Sequence, residues 1–271
     1  MSKFIKRSIT SVIYFALVMS LILLNNYIYV VAIIGIQAFM AIYEYFKAVE
    51  VDNKIFKYIG YLLIVLYSLS GIILKSTVIY AKELVILGFI LSGIVAVIKY
   101  DKTNINDLAI SNLGYIYIPF LLSFIPEIFK FKDGNILYMI LIFTVMLTDS
   151  GAYIIGSKFG KHKLIKLSPK KTIEGSIGGI VTALVTITIM YFIGKAKIDI
   201  SHINLFTLLI TTFVLSIISQ FGDLFASYIK RAFNKKDYGK ILLGHGGILD
   251  RIDSLIFAAP IAFILFKYIL I

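Results

Sequence analysis

The sequence predicts an all-α polytopic membrane protein of about nine transmembrane helices, with its N-terminus cytoplasmic and its C-terminus outside. Three observations predict this. Of the 271 residues, 59% are hydrophobic and 15% charged, and the mean hydropathy is +0.93; soluble domains run near about 45–50% apolar and about 25% charged. The apolar residues form continuous runs close to the roughly 20 residues that a hydrocarbon core about 30 Å thick asks of a helix. The runs do not alternate with period two, as the strands of a membrane barrel would. The same composition excludes disordered, coiled-coil and collagen-like chains.

Nine runs meet the length, near residues 8–24, 27–46, 55–74, 83–98, 108–129, 136–156, 174–194, 203–226 and 252–271. The first follows Lys3, Lys6 and Arg7 and resembles a secretory signal. No small-residue cleavage site follows it and eight more runs do, so it is read as the first span. Only Asn25 and Asn26 separate it from the second, a tight helical hairpin. The fourth run is short. Pro119 and Pro260 fall inside spans, where neighbouring helices can satisfy the freed backbone groups. With no Trp, an interfacial aromatic belt has to rest on the 18 Tyr and 21 Phe. The chain divides into N-terminal membrane helices, 1–130, with about five spans, and a C-terminal membrane domain, 131–271, with about four spans and two basic loops.

The formal net charge is +12, from 27 Lys+Arg against 15 Asp+Glu. Nucleic acid explains it poorly, since no soluble basic domain exists to carry it. Lys/Arg bias explains part of it. With the N-terminus inside, 20 of the 27 cations fall in cytoplasmic segments. Six lie in the loop after the sixth run (Lys158, Lys161, Lys163, Lys166, Lys170, Lys171) and six in the loop after the eighth (Lys230, Arg231, Lys235, Lys236, Lys240, Arg251). Sorting accounts for about three cations per loop; six beside intramembrane acids suggest an anionic ligand.

Carboxylates on membrane helices cost about 2.5–3.5 kcal/mol each on insertion scales, which makes them functional candidates. Asp149, Glu174, Asp223, Asp250 and Asp253 stand out. The topology brings all five to one depth on the cytoplasmic side. Gln220, Asp223 and Ser227 share a helical face that Lys230 continues, and Asp250 and Asp253 share another, with Arg251 turned away. Without Cys, and with three His, no zinc set exists. Clustered carboxylates suit a hard cation, Mg²⁺ above all. Asp223 and Asp250 are the expected metal ligands, with Asp149 and Asp253 for a second ion or an outer position.

Polyphosphate-binding parts surround these acids. Gly244, His245, Gly246 and Gly247 form a loop that a ligand can approach closely, before a helix start that favours anions. Lys170 and Lys171 precede another helix start. The 151–158 stretch, GAYIIGSK, reverses the closing Lys and Ser of a Walker A loop and ends a membrane helix, so it is discarded. Gly175 and Gly179 have the spacing of a close helix–helix contact, within one chain or between copies in a homodimer.

Segment 227–253, SYIKRAFNKKDYGKILLGHGGILDRID, resembles the signature of the phosphatidate cytidylyltransferases, also called CDP-diacylglycerol synthases. The match includes Ser227, Lys230, Arg231, Lys236, Asp237, Gly239, His245, Gly246, Gly247, Asp250, Arg251 and Asp253. Asp149–Ser150–Gly151–Ala152–Tyr153, the 168–175 stretch SPKKTIEG and the 220–224 stretch QFGDL resemble the family too. The resemblance is specific over about 145–260. Leu243 replaces a usual Pro, Ala226 a frequent Glu and Ile173 a common Trp.

The resemblance implies a metal-dependent enzyme of phospholipid biosynthesis in the cell membrane, its active site on the cytoplasmic side. It would join CTP and phosphatidic acid into CDP-diacylglycerol and pyrophosphate. Asp223, Asp250, Lys171 and His245 would be catalytic. Lys170, Lys230, Arg231, Ser227, Gly246, Gly247 and Arg251 would bind substrate. The competing readings are a CTP-dependent polyprenol kinase, which moves the γ-phosphate, and a cation-coupled transporter. A transporter would place its acids nearer the midplane on repeated halves, and no repeat exists here.

Overall fold

The computed structural model describes residues 3–197, 203–239 and 246–270, with side chains in the first stretch described from 12 to 195. Among these the chain is helical and no strand forms. The helices are α1 (Lys3–Leu24), α2 (Tyr27–Ala48), α3 (Lys54–Leu74), α4 (Val78–Ile98), α5 (Ile105–Tyr115), α6 (Phe124–Ile128), α7 (Gly134–Phe159), α8 (Ile173–Lys197), α9 (Leu205–Ala232) and α10 (Leu249–Leu265). The fifth span, Ile105–Ile128, is built from α5, a π-helical turn Ile116–Phe120 containing Pro119, and α6. Eight of the segments are long and apolar enough to cross a membrane, and α1 adds an apolar stretch over Val12–Leu24.

The chain forms two compact units, one of Met1–Asn135 with Ile229–Ile252, the other of Ile136–Tyr228 with Asp253–Ile271. In the first, asparagines set the helix starts. Asn25 turns through φ 43° between α1 and α2, and the Asn26 side chain accepts the Tyr29 N–H at 3.1 Å. Asn53 caps α3 by accepting from Ile55 at 2.9 Å, and Asn104 caps α5 by accepting from Asn106 at 2.9 Å.

One expectation is corrected in this unit. The fourth span starts at Val78, not 83. Glu127 holds that start from a distance: its Oε1 accepts the Thr77 N–H (2.6 Å) and hydroxyl (2.9 Å), while Lys130 pairs with its Oε2 at 2.9 Å. With the first turn capped this way, Lys82 and Glu83 are carried inside a longer helix. Two tyrosines of this unit lie in its core. Tyr45 and Tyr115 are fully buried, and their hydroxyls donate to the carbonyls of Ile110 (2.9 Å) and Phe56 (2.6 Å). A buried Tyr keeps its ring in the core provided its hydroxyl finds an acceptor.

In the second unit α7 and α8 approach closely through small residues. A Cβ added at Gly175 would lie 2.7 Å from the Ala152 carbonyl oxygen, and one at Gly179 would lie 2.5 Å from that of Thr148. The spacing of these glycines therefore serves an interface within the chain. Gly151 and Gly156 face it from α7, so the 151–158 stretch is helix packing and no phosphate loop. A hydrogen-bonded row crosses the same unit: Thr148 to Ser216 (2.7 Å), Gln220 Nε2 to the Ser216 carbonyl (3.3 Å), and Ser176 to Gln220 Oε1 (2.6 Å). Substituting Gly179 by Val should destabilise the protein by about 1–3 kcal/mol, the usual range for overpacking. The check is a lowered Tm of detergent-solubilised protein; an unchanged Tm would contradict the close approach.

Candidate active site

The acids and cations singled out above fall into two sets, one in each unit. In the second unit, residues 160–172 fold back on themselves between α7 and α8. The Leu164 N–H donates to the Lys171 carbonyl at 3.0 Å, and the Ile173 N–H donates to that of His162 at 2.9 Å. Glu174, in the first turn of α8, accepts the N–H groups of Lys161 (3.1 Å) and His162 (3.2 Å) and meets the His162 ring at Nδ1 (2.6 Å). The carboxylate thereby ties the turn down. Held this way, the segment exposes Lys170 and leaves Lys171 half-exposed, its ammonium paired with the Asp223 carboxylate of α9.

Beside Asp223, α9 crosses α10 at Gly222. A Cβ there would lie 2.8 Å from the Asp253 carbonyl oxygen and 3.1 Å from the Ser254 Cα. Asp253 is buried and accepts the Ser254 N–H at 2.8 Å; the Ser254 hydroxyl donates to Asp149 of α7 at 3.4 Å. Thus α10 meets α9 at Gly222 and α7 through the Ser254 hydroxyl. Ser227, one turn beyond Asp223 on α9, is half-exposed.

The first unit holds the other set. Here α9 ends in a Schellman turn: Asn234 is left-handed at φ 55°, and the Lys235 N–H donates to the Lys230 carbonyl at 2.8 Å. Lys230 is 9% exposed and pairs with Asp250 Oδ1 at 2.7 Å, its ammonium also lying 5.2 Å from the centre of the Tyr238 ring. Oδ2 of Asp250 accepts the N–H groups of Tyr238 (2.9 Å) and Gly247 (3.0 Å). Both oxygens of Asp250 are therefore engaged by protein donors. Gly246 adopts φ +82°, a conformation that favours glycine. Arg231 and Arg251 are exposed, and Arg231 donates to the Lys235 carbonyl at 3.0 Å. His245 and Gly244 lie outside the described residues.

The model of the "Cytidylyltransferase family" matches residues 5–269, nearly the whole chain. The chain belongs to the cytidylyltransferase family. It is 35% identical over 269 residues to the phosphatidate cytidylyltransferase of Staphylococcus haemolyticus, covering 96% of this chain and 97% of that protein. The phosphatidate cytidylyltransferases of Staphylococcus epidermidis and Staphylococcus aureus strain COL are 38% and 40% identical, over 69% of this chain and 70% of their own length. With its apolar helices, this cytidylyltransferase-family chain is a multi-pass membrane protein.

One residue of the first unit escaped the sequence reading. Glu44, in α2, is 1% exposed, and its Oε2 accepts the Leu249 N–H at the start of α10 at 3.0 Å. Gly239 and Gly247 pack so tightly on this carboxylate that a Cβ at either would clash with it. Its other oxygen has no hydrogen-bond partner among the described residues. The signal was present. Glu44 is the single acid in an apolar run, and the rule that flags Asp149 and Asp223 flags it equally.

Among the described residues, no group of three or more His, Cys, Asp or Glu side chains could hold a metal ion by itself. The carboxylates are nonetheless hard oxygen donors, and Mg²⁺ commonly takes one or two carboxylates with the remaining ligands from phosphates and water. Asp223, 30% exposed at its side chain, fits that use. Asp250 carries the sharper structural prediction. Changing Asp250 to Asn removes the partner of a buried ammonium, for which about 3–5 kcal/mol is the usual cost. Tm should fall, and adding Lys230→Met should recover part of the loss; a D250N protein as stable as wild type would show the pair to be unimportant.

Proposed function

We propose that this chain is a CTP:phosphatidate cytidylyltransferase, joining CTP and phosphatidic acid into CDP-diacylglycerol and pyrophosphate at the cytoplasmic face of the cell membrane. The observation that carries the reading is the end-to-end similarity to the Staphylococcus haemolyticus protein of that name, over 96% of one chain and 97% of the other. The Lys/Arg bias of the loops supports a cytoplasmic N-terminus and a C-terminus outside.

The chemistry needs little from the protein by way of a base. A phosphate monoester is mostly dianionic at neutral pH, its second pKa being about 6, so its oxygen is already a nucleophile. That oxygen bonds to the α-phosphorus of CTP while the bond from the α-phosphorus to the bridging oxygen breaks, and pyrophosphate leaves with the electron pair. The barrier lies in bringing two anions together and in the charge building on the leaving group. Lys171, kept beside Asp223 by its ion pair, is placed to exchange that partner for a phosphate. Lys170, exposed on the same turn, adds a second positive charge. Asp223 would hold Mg²⁺, with Asp149 and Asp253 assigned to a second ion or an outer position. The ion, when bound, neutralises triphosphate charge and stabilises the departing pyrophosphate. Asp250, paired with Lys230, accepts the Gly247 N–H, and Gly246, Gly247 and His245 are assigned to the triphosphate.

CTP labelled at the α-phosphate should pass its label into lipid, with label at the γ-phosphate recovered in pyrophosphate. Gamma label entering lipid would overturn the reading in favour of a polyprenol-kinase activity. Asp223→Asn should lower turnover at least about 100-fold, the order expected for losing one group that stabilises the transition state. EDTA should abolish transfer and added Mg²⁺ restore it. Near-normal turnover in D223N, or activity that survives chelation, would remove the metal from the proposal.

A further inference from the structure

Between α8 and α9 lies a cavity of about 240 Å³. Its walls are Ile180 of α8 with Ile217, Phe221 and Leu224 of α9, and Leu164 and Ile165 of the folded-back segment close it at one end. We propose that this cavity seats an acyl chain of the anionic diacyl lipid consumed at the neighbouring site, an inference that rests on the cytidylyl-transfer reading.

Three features identify the occupant. Both walls belong to helices long and apolar enough to cross a membrane, and two of the lining side chains, Phe221 and Ile165, are 58% and 42% exposed. The cavity is thus apolar and accessible from the sides of these helices. Its polar residues, Ser176 and Gln220, are hydrogen-bonded to each other at 2.6 Å, which leaves little there for a water-soluble ligand to recognise. Gln220 stands one turn of α9, about 4.5 Å of axial rise, before Asp223, the partner of Lys171. The segment that supplies Leu164 and Ile165 also carries Lys163, Lys166, Lys170 and Lys171. A matching ligand is therefore an amphiphile, apolar along the helices and anionic at the end nearest the lysines. A phosphate-headed lipid has that form; a nucleotide has no apolar tail.

An acyl chain leaving a bilayer gains no hydrophobic energy on entering an equally apolar seat. The cavity should therefore select chains by shape and length rather than add affinity in general. Ile180→Trp and Ile217→Trp each fill it and touch none of the charged groups. With dioleoyl phosphatidate in detergent micelles, KM should rise on the order of tenfold, the scale of discrimination an apolar pocket provides. KM for CTP and for dihexanoyl phosphatidate should stay unchanged. Equal effects on long and short chains, or none on either, would overturn the proposal; Ile180→Phe, with Tm measured in parallel, serves if the Trp variants fail to fold. A second readout does not need turnover. Phosphatidate with a photoactivatable group in its acyl chain, in vesicles, should label peptides of α8 and α9 in wild type and lose that labelling in the Trp variants. Labelling without transfer would keep the acyl seat and reject the reaction. Equal labelling by phosphatidylcholine carrying the same group, or none by phosphatidate, would reject the seat.

Discussion

Ionised side chains on membrane-crossing helices must find a partner or reach water, and much of this structure follows from how it meets that constraint. Lys230 and Asp250 neutralise each other where both are nearly buried. Glu127 is shared between Lys130 and the start of α4. Lys171 and Asp223, more exposed, form a pair that remains within reach of solvent. The gradation matters. A buried pair locks the backbone around it, since separating its members strands a charge in a medium that solvates it poorly. A half-exposed pair can open, because water or an incoming anion can take the place of either member.

Close helix contacts provide the other half of the arrangement. Without a hydrophobic force between helices in lipid, small residues let backbones approach until van der Waals contact holds them. The α7–α8 contact through Gly175 and Gly179 fixes the turn that presents Lys170 and Lys171, and Gly222 sets the crossing of α9 and α10 next to Asp223 in α9 and Asp253 in α10. Rigid elements thus carry the charged groups, while the connecting segment contributes through its backbone turns. Precision at such a site comes from the support behind it.

Much of the fold was legible because bilayer thickness imposes a length that apolar runs must match. The Asn25–Asn26 hairpin, the helix-packing role of Gly175 and Gly179 and the dismissal of the 151–158 stretch as a phosphate loop all follow from local rules, and the structure agrees with them. What escaped the sequence depends on contacts between distant residues. The true start of α4 is set by Glu127, 50 residues away from Thr77. The buried tyrosines depend on carbonyls 59 and 65 residues off in sequence. The pairing of Lys171 with Asp223 and of Lys230 with Asp250 was not readable from helical spacing, which locates a residue on a face without naming what it meets. Glu44 likewise meets its partner, the Leu249 N–H, only through the tertiary fold.

Glu44 also has a consequence for how the chain is assembled. Its partner, the Leu249 N–H, follows 205 residues later. At translation rates of about 5–20 residues per second, α2 is made roughly 10–40 s before the start of α10 exists. For that interval the Glu44 carboxylate has to be accommodated near a membrane without the amide that finally receives it. The last helix therefore completes an arrangement begun by the second, and a chain interrupted before residue 249 would leave an early helix with an acid it cannot place.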